Sequence, residues 1–184
     1  MLPLAITGGI AEGKSTVMEI LRQQGLHAVS ADQIARELWS SSDFIADVSK
    51  ELGTPNLNKE LLREKISADS ALRREVNSIF HPRIWAEIFA SEPFVVEVPL
   101  LIEACLQHHF ARVWVVTCGI EEQMRRLSDR VGNELANRLI RTQLPTRAKI
   151  PFADEVIRTN LPPPLVLSAT HSALAQIIGK DTSD

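Results

Sequence analysis

The sequence predicts a three-layer α/β fold built on a five-stranded parallel sheet. Short apolar runs alternate with segments of helical periodicity, which is the order typical of parallel sheets. Two of these runs, FVVEV and VWVV, are rich in β-branched residues, which favours central strands buried on both faces. The runs that we interpret as strands span residues 2–7, 27–30, 93–98, 112–118 and 155–157. With 184 residues and 45% apolar content, the chain predicts one domain with appendages.

Helical patterns fill the segments between the predicted strands. The longest such stretch, 41–91, predicts a helical insertion with interruptions at Pro55–Asn58 and at His81-Pro82. We also expect a helix between the third and fourth strands, because parallel neighbours need a crossover connection. The other predicted helices cover 14–24, 31–39, 120–131 and a C-terminal stretch from about residue 165.

Composition argues against several classes of partner. Twenty Lys and Arg oppose 23 Asp and Glu, giving a net charge of −3, so we expect neither nucleic acid nor membrane as a partner. No apolar run approaches the roughly 20 residues of a membrane span, and no signal-type segment begins the chain, which predicts a cytoplasmic protein. We expect Cys105 and Cys118 to be reduced and mostly buried, since neither has metal-ligand spacing to a second Cys or His.

A phosphate-binding motif follows the first predicted strand. The segment from Gly8 to Ser15, GGIAEGKS, fits the pattern G-x-x-x-x-G-K-[ST] and stands between a strand and a helix. In such a loop the backbone N–H groups and the helix dipole face a triphosphate. Lys14 can then reach the β and γ phosphates, Ser15 can bind Mg²⁺, and Thr16 can contact phosphate. The motif predicts an ATP-type phosphate site of the P-loop class.

The motif alone does not separate kinases from other P-loop proteins. A GTPase would need an Asn-Lys-x-Asp signature, but Asn58-Lys59 is followed by Glu60 and Leu61. The chain is also short for most motor ATPases. The remainder of the chain must therefore decide among the other P-loop classes.

Further motifs appear in a fixed order along nearly the whole chain. The motifs are TGGI with GKST at 7–16, AD with IAR at 31–36, HP at 81–82, VPLL with Glu103, RV and VV at 112–116, Gln143, and AD with VI and Asn160. Together they resemble the dephospho-coenzyme A kinase family. That resemblance implies transfer of the ATP γ-phosphate to the ribose 3′-hydroxyl of dephospho-coenzyme A, with Mg²⁺ as cofactor. We expect a monomeric or weakly homo-oligomeric state.

The resemblance also implies roles for individual residues. Asp32, Lys14 and Arg130 are the implied catalytic residues, and 41–91 and 129–149 are the implied acceptor-binding insertion and lid. The implied ATP-binding residues are Gly9, Ile10, Ala11, Glu12, Gly13, Lys14, Ser15, Thr16, Gln143 and Asn160. The implied acceptor-binding residues are Asp32, His81, Pro82, Arg83, Pro99, Leu100 and Glu103.

Several of these residues have a plainer structural interpretation. Asp32 lies where a sheet-edge carboxylate could accept a hydroxyl proton, but it could equally be a helix N-cap. His81-Pro82 could be a turn with a partly buried His, and Glu103 a carboxylate at a helix start. The Arg-rich stretch after Asp129 could be a solvated helical face, and Asn160 a turn residue.

The phosphate loop departs from the family pattern at two positions. Ala11 stands where the family usually has glycine, and it fits without strain only if its φ is negative. Glu12 replaces a small residue, and we expect the cradle to be unaffected if this side chain points outward. Two alternatives stay open: another small-molecule kinase, for nucleoside monophosphates or shikimate, and a degenerate module that binds ATP without transferring phosphate.

Overall fold

The structure is a computed structural model that describes residues 1–54 and 58–179. Its internal contacts divide the chain into two compact units. The first contains Met1–Ala28 together with the chain from Pro93 onward, and the second contains Val29–Glu92. The predicted breakers Pro55 and Asn56 lie outside the described residues.

The predicted five-stranded parallel sheet is confirmed, in the order β2-β3-β1-β4-β5. In β1, Leu4 pairs with Val95 of β3 on one side and with Arg112 of β4 on the other. Three consecutive residues of β1, 4–6, are fully buried, as expected for a central strand covered on both faces. The strands are β1 (Leu2–Thr7), β2 (Ala28–Ser30), β3 (Val95–Glu97), β4 (Phe110–Thr117) and β5 (Glu155–Arg158).

Nine α-helices occur among the described residues, three of them before the predicted interruption at Pro55–Asn58. These three are α1 (Lys14–Gln23), α2 (Ala31–Leu38) and α3 (Ser42–Glu51). The other six are α4 (Lys59–Ala68), α5 (Ser70–Ala90), α6 (Ile120–Val131), α7 (Asn133–Arg141), α8 (Thr146–Lys149) and α9 (Pro163–Ile178).

The prediction of an α-helix between β3 and β4 is wrong. This connection consists of turns over 99–105 followed by a short 3-10 helix, Gln107–His109. Cys105 has a positive φ of 55° within those turns, a value unsuited to a right-handed helix.

The core of the first unit lies where α1 and α9 pack against the sheet. Leu4 and Ile6 of β1 contact buried residues of the two helices, including Val17 and Val166. Trp114 of β4 belongs to the same cluster and is 1% exposed. This packing fixes the start of α1, which carries the end of the phosphate loop.

The second unit is helical and has its own apolar core. Its buried cluster is formed by Phe44, Ile45, Val48, Leu62, Val76 and Phe80. The predicted boundary at His81-Pro82 is wrong, because α5 runs through Pro82 without ending. Val76, Phe80 and Ile84, spaced four residues apart, pack in the cluster on both sides of the proline. This packing offsets the hydrogen bond that a proline removes from a helix interior.

The two cysteines differ in exposure. Cys118 is buried, as predicted, and burial raises the pKa of its thiol. Cys105 is exposed, so the prediction of burial is wrong for this residue. Among the described residues, no helix combines the length and apolarity needed to cross a membrane.

Candidate active site

The phosphate loop occupies the carboxyl end of β1, between that strand and α1. Three more polar side chains come from the carboxyl ends of other strands and border the loop: Glu97 in β3, Thr117 in β4 and Thr159 just after β5. Ligands of open α/β sheets bind at this edge. The first unit therefore presents a ligand site at the position expected for its fold.

Two glycines allow the loop to pack closely against other backbone and side chains. Gly8 has a φ of 149°, and a Cβ there would lie 2.3 Å from the carbonyl oxygen of Val116. Gly13 has a φ of 89°, and its Cβ would lie 2.6 Å from Oγ1 of Thr159. Either contact is shorter than real side chains tolerate. The backbone at Gly13 therefore packs directly against the side chain of Thr159.

A cavity of 1140 Å³ opens in front of the loop and is lined by residues 11–16. Lys14 is 8% exposed, and its Nζ donates hydrogen bonds to the carbonyls of Gly8 (3.1 Å) and Gly9 (2.9 Å). The Oε1 atom of Glu97 lies 4.0 Å from the same Nζ. The ammonium group is thus held at the loop, where phosphate oxygens would be stronger acceptors than carbonyls.

The condition under which Ala11 would fit the loop without strain, a negative φ, is not met. Its φ is 61°, in the left-handed region where a non-glycine residue costs on the order of 1 kcal/mol. Such strain persists only where surrounding contacts determine the backbone. The neighbouring residue Glu12 supplies several of those contacts.

Glu12 points into the protein and is 1% exposed, so the condition that its side chain points outward is not met. Its Oε2 accepts hydrogen bonds from the backbone N–H of Gly9 (2.6 Å) and from the hydroxyl of Thr146. Its Oε1 accepts one from Thr117 Oγ1 at 2.9 Å. A buried carboxylate is tolerated when its oxygens are satisfied in this way.

Gln143 and Gln123 bind the backbone of Ile10. The N–H of Ile10 donates to Oε1 of Gln143 at 2.9 Å, and Nε2 of Gln123 donates to the carbonyl of Ile10 at 2.9 Å. Both glutamines line a second cavity, of 640 Å³, rather than the cavity that contains Lys14. In this structure Gln143 therefore supports the loop backbone.

Arg126 lines the larger cavity. The sequence motifs did not identify this residue as part of the site. Its guanidinium donates to Glu122 (2.7 Å) and to the carbonyl of Thr159 (2.7 Å). Hydrogen bonds from Arg125 and from Arg126 lower the pKa of Glu122 to about 2. The spacing of Glu122 and Arg126 indicated only an i,i+4 pair, and the contact with Thr159 depends on the fold.

Arg130 lines the larger cavity near the C-terminal end of α6. Asn160 is exposed, and its two neighbours in the chain, Thr159 and Leu161, line that cavity. Thr159 is buried, and its hydroxyl donates to the carbonyl of Glu12 at 2.6 Å. The residue in contact with the loop is therefore the one immediately before Asn160.

Glu103 binds a buried lysine. Its Oε1 lies 2.8 Å from Nζ of Lys149, whose side chain is 0% exposed. The same oxygen accepts a hydrogen bond from the backbone N–H of Leu144 at 3.0 Å. Lys149 also donates to the carbonyl of Pro99 at 3.0 Å. The helix-start interpretation of Glu103 is wrong because it lies in turns. Leu100, another predicted acceptor-binding residue in these turns, is 47% exposed.

The second unit carries the other predicted acceptor residues, which are considered within that unit alone. Asp32 is exposed in the first turn of α2, and the N-cap is Ser30, so the N-cap interpretation of Asp32 is wrong. His81 and Pro82 are exposed on α5, so the turn interpretation is wrong as well.

Arg83 follows them on α5 and makes contacts within the second unit. Its guanidinium pairs with Asp47 at 3.2 Å and with Glu51, and lies 5.2 Å from the ring centre of Phe44.

The larger cavity offers oxygen ligands suited to Mg²⁺. The described residues contain no group of three or more His, Cys, Asp or Glu placed to hold a metal. Mg²⁺ bound with a nucleotide needs only one or two protein oxygens besides phosphates and waters. Ser15 and Glu97 both line the cavity and supply a hydroxyl and a carboxylate, so the residues fit this ion.

The glycine loop with its lysine, set on a parallel sheet, defines a P-loop nucleotide-binding protein. The dephospho-CoA kinase family model matches residues 2–162. The chain belongs to the dephospho-CoA kinase family, and it is a kinase of coenzyme A biosynthesis.

Individual relatives and solved structures are also similar to this chain. The chain is 33% identical to a dephospho-CoA kinase of Corynebacterium glutamicum, over 87% of this chain and 91% of the relative. Among solved structures, TT1252 of Thermus thermophilus matches with a TM-score of 0.77 and 23% identity, over 95% of this chain and 96% of that one. A dephospho-CoA kinase from Campylobacter jejuni matches with a TM-score of 0.62 and 21% identity, with the same coverage. The two structures support the fold alone.

Proposed function

We propose that this kinase transfers the γ-phosphoryl group of ATP to the ribose 3′-hydroxyl of dephospho-CoA, the last step of coenzyme A synthesis. The observation that carries the proposal is the phosphate loop with Lys14 at the sheet edge of a chain that matches this family from residue 2 to residue 162. A cytoplasmic location and a monomeric or weakly associated state stay predictions from the sequence.

In this proposal the first unit binds the nucleotide. The backbone N–H groups of 11–16 and the start of α1 hold the phosphates. Lys14 exchanges its carbonyl acceptors for phosphate oxygens, and Arg130 with Arg126 neutralises the charge that develops during transfer. Asn160 is the proposed neighbour of the adenine, and 129–149 is the proposed lid.

Ser15 and Glu97 would hold Mg²⁺ at the phosphates, directly or through water. The ion would screen phosphate charge and fix the geometry of the transferred group.

We further propose that Asp32 is the general base. Its exposed carboxylate follows the carboxyl end of β2 directly. It would take the proton of the 3′-hydroxyl while that oxygen bonds to the γ-phosphorus and ADP leaves. The proposed acceptor contacts are His81, Pro82, Arg83, Pro99, Leu100 and Glu103, with 41–91 as the acceptor-binding insertion.

The decisive experiment measures ADP release from Mg·ATP with dephospho-CoA, AMP or shikimate as acceptor. We expect turnover with dephospho-CoA alone. Asp32→Asn should lower kcat by about 10²–10⁴-fold, the usual effect of losing a general base.

Asp43→Asn is the matched control, because Asp43 is also an exposed carboxylate in the first turn of a helix of the second unit. Its activity should equal that of the parent protein. Equal losses in the two variants would contradict the role of Asp32. ATP binding without turnover of any acceptor would instead favour a nucleotide-binding module.

A further inference from the structure

Glu12 connects the phosphate loop to three separate elements. Its carboxylate accepts from Thr117 at the end of β4 and from Thr146 at the start of α8. Its carbonyl oxygen accepts from Thr159, which follows β5. These partners stand 105, 134 and 147 residues away in the chain. Glu12 thus connects the loop to two of these segments through its side chain and to the third through its backbone carbonyl.

The same side chain also closes the loop on itself. The N–H of Gly9 donates to Oε2 of Glu12 at 2.6 Å, and the N–H of Glu12 is 3.4 Å from the carbonyl of Gly9. Between them stands Ala11 with its φ of 61°. A residue held in a sparsely populated conformation needs surrounding contacts that determine it. The bonds of Glu12 supply such contacts on the C-terminal side of Ala11.

From these contacts we infer that Glu12 is a positioning residue: it holds residues 9–12 in the shape that binds nucleotide and fastens the start of α8 to the loop. Its carboxylate has three donors and lies inside the protein, so it acts through the loop and not on the substrate. A loop held in its binding shape before the ligand arrives loses less entropy on binding.

Two possible roles of Glu12, as a negative charge beside the phosphates or as a residue that positions the loop, predict opposite changes in ATP affinity for Glu12→Gln. By charge alone, removing a carboxylate beside a triphosphate should strengthen ATP binding. By positioning, the amide keeps one acceptor oxygen instead of two and carries no charge, so the three donors lose their charged acceptor and binding weakens. Glu12→Asp adds a second contrast, because it keeps the charge but is too short by one methylene to keep all three bonds.

The experiment measures the dissociation constant of Mg²⁺ with a non-hydrolysable ATP analogue by calorimetry, together with KM for each substrate and the thermal unfolding midpoint. We expect the dissociation constant to rise about tenfold in Glu12→Gln and in Glu12→Asp, the size expected from one or two lost hydrogen bonds to a charged group. KM for dephospho-CoA should change less than twofold.

Thr146→Val tests the connection to α8 without altering Glu12. We expect the dissociation constant to rise about threefold, and the effects of Thr146→Val and Glu12→Gln to be less than additive in the double variant, since the two side chains belong to one hydrogen-bond network. Thr170→Val is the matched control, because the buried hydroxyl of Thr170 bonds only within α9, to the carbonyl of Val166. Its nucleotide affinity should not change.

Two results would overturn the inference. One is tighter nucleotide binding in Glu12→Gln, which would mean that charge dominates. The other is a lower unfolding midpoint with an unchanged dissociation constant, which would leave Glu12 with a structural role alone. The inference rests on the proposed function only for the identity of the nucleotide. Because the binding assay needs no acceptor, failure to phosphorylate dephospho-CoA would leave this test intact.

Discussion

The predicted site residues differ in burial between the phosphate loop and the second unit. Around the loop, the important groups are buried and bonded to one another, as Glu12, Lys14 and Thr159 show. In the second unit, Asp32 and His81 stand exposed on helices. A buried, hydrogen-bonded site has its geometry set by the protein, whereas exposed residues acquire a defined geometry when a ligand binds them. Variants in the two regions should therefore fail in different ways.

Lys14→Ala should have the largest effect. The variant removes the cation aimed at the transferred phosphate, and we expect kcat to fall by about 10³-fold, the range seen when one charge-stabilising donor is lost. The far-ultraviolet circular dichroism spectrum should be unchanged.

The control for a lost cation is Arg22→Ala on the same helix, α1. Arg22 donates to the carbonyl of Ala28 on the exposed surface. The kcat of this variant should stay within twofold of the parent. Similar losses in Lys14→Ala and Arg22→Ala would contradict a specific role for Lys14.

Lys149→Ala should cause the largest loss of stability. Lys149 is fully buried, and its removal leaves Glu103 without its cation and the carbonyl of Pro99 with one hydrogen-bond donor, the hydroxyl of Thr7, instead of two. We expect the free energy of unfolding in urea to fall by about 2–3 kcal/mol, somewhat below the usual cost of breaking a buried pair because Glu103 is partly exposed. Lys65→Ala, at an exposed position of α4, should change it by less than about 0.5 kcal/mol. Equal changes would contradict the importance of the pair.

Arg83→Ala separates two roles for a residue of the second unit. If Arg83 binds the acceptor, as we predict, KM for dephospho-CoA should rise about tenfold, the equivalent of one lost charged hydrogen bond. KM for ATP should not change.

The control for Arg83 is the double variant Asp47→Asn with Glu51→Gln, which removes both ion-pair partners and keeps the arginine. Its KM for dephospho-CoA should equal that of the parent protein or be lower. If the two variants have the same kinetics, Arg83 serves the fold of α5 and α3 and the acceptor role is wrong.

The sequence predicted the features that depend on neighbouring residues. The strand, loop and helix around Gly13 and Lys14 form one contiguous pattern, and the apolar runs were enough to predict five parallel strands. The direction of the Glu12 side chain was not predictable, because its donors Thr117 and Thr146 become neighbours only when the sheet and α8 have folded. Thr159 was missed for the same reason.

Local rules also gave wrong results where packing outweighed them. His81-Pro82 indicated a boundary, yet the apolar stripe through Phe80 and Ile84 keeps α5 continuous. Alanine disfavours a positive φ, yet the contacts of the loop hold Ala11 at 61°. In both cases a preference of about 1–3 kcal/mol is smaller than the tertiary contacts that oppose it.

Ala11→Gly should have the smallest effect and the opposite sign. Glycine adopts a positive φ without strain, but it also gives the unfolded chain more freedom, so the two terms partly cancel. We expect the free energy of unfolding in urea to rise by about 0.5 kcal/mol. Ala86→Gly, at an exposed position in the interior of α5 in the second unit, should lower it by about 1 kcal/mol. If the free energy of unfolding falls equally in both variants, the positive φ of Ala11 does not destabilise the folded state.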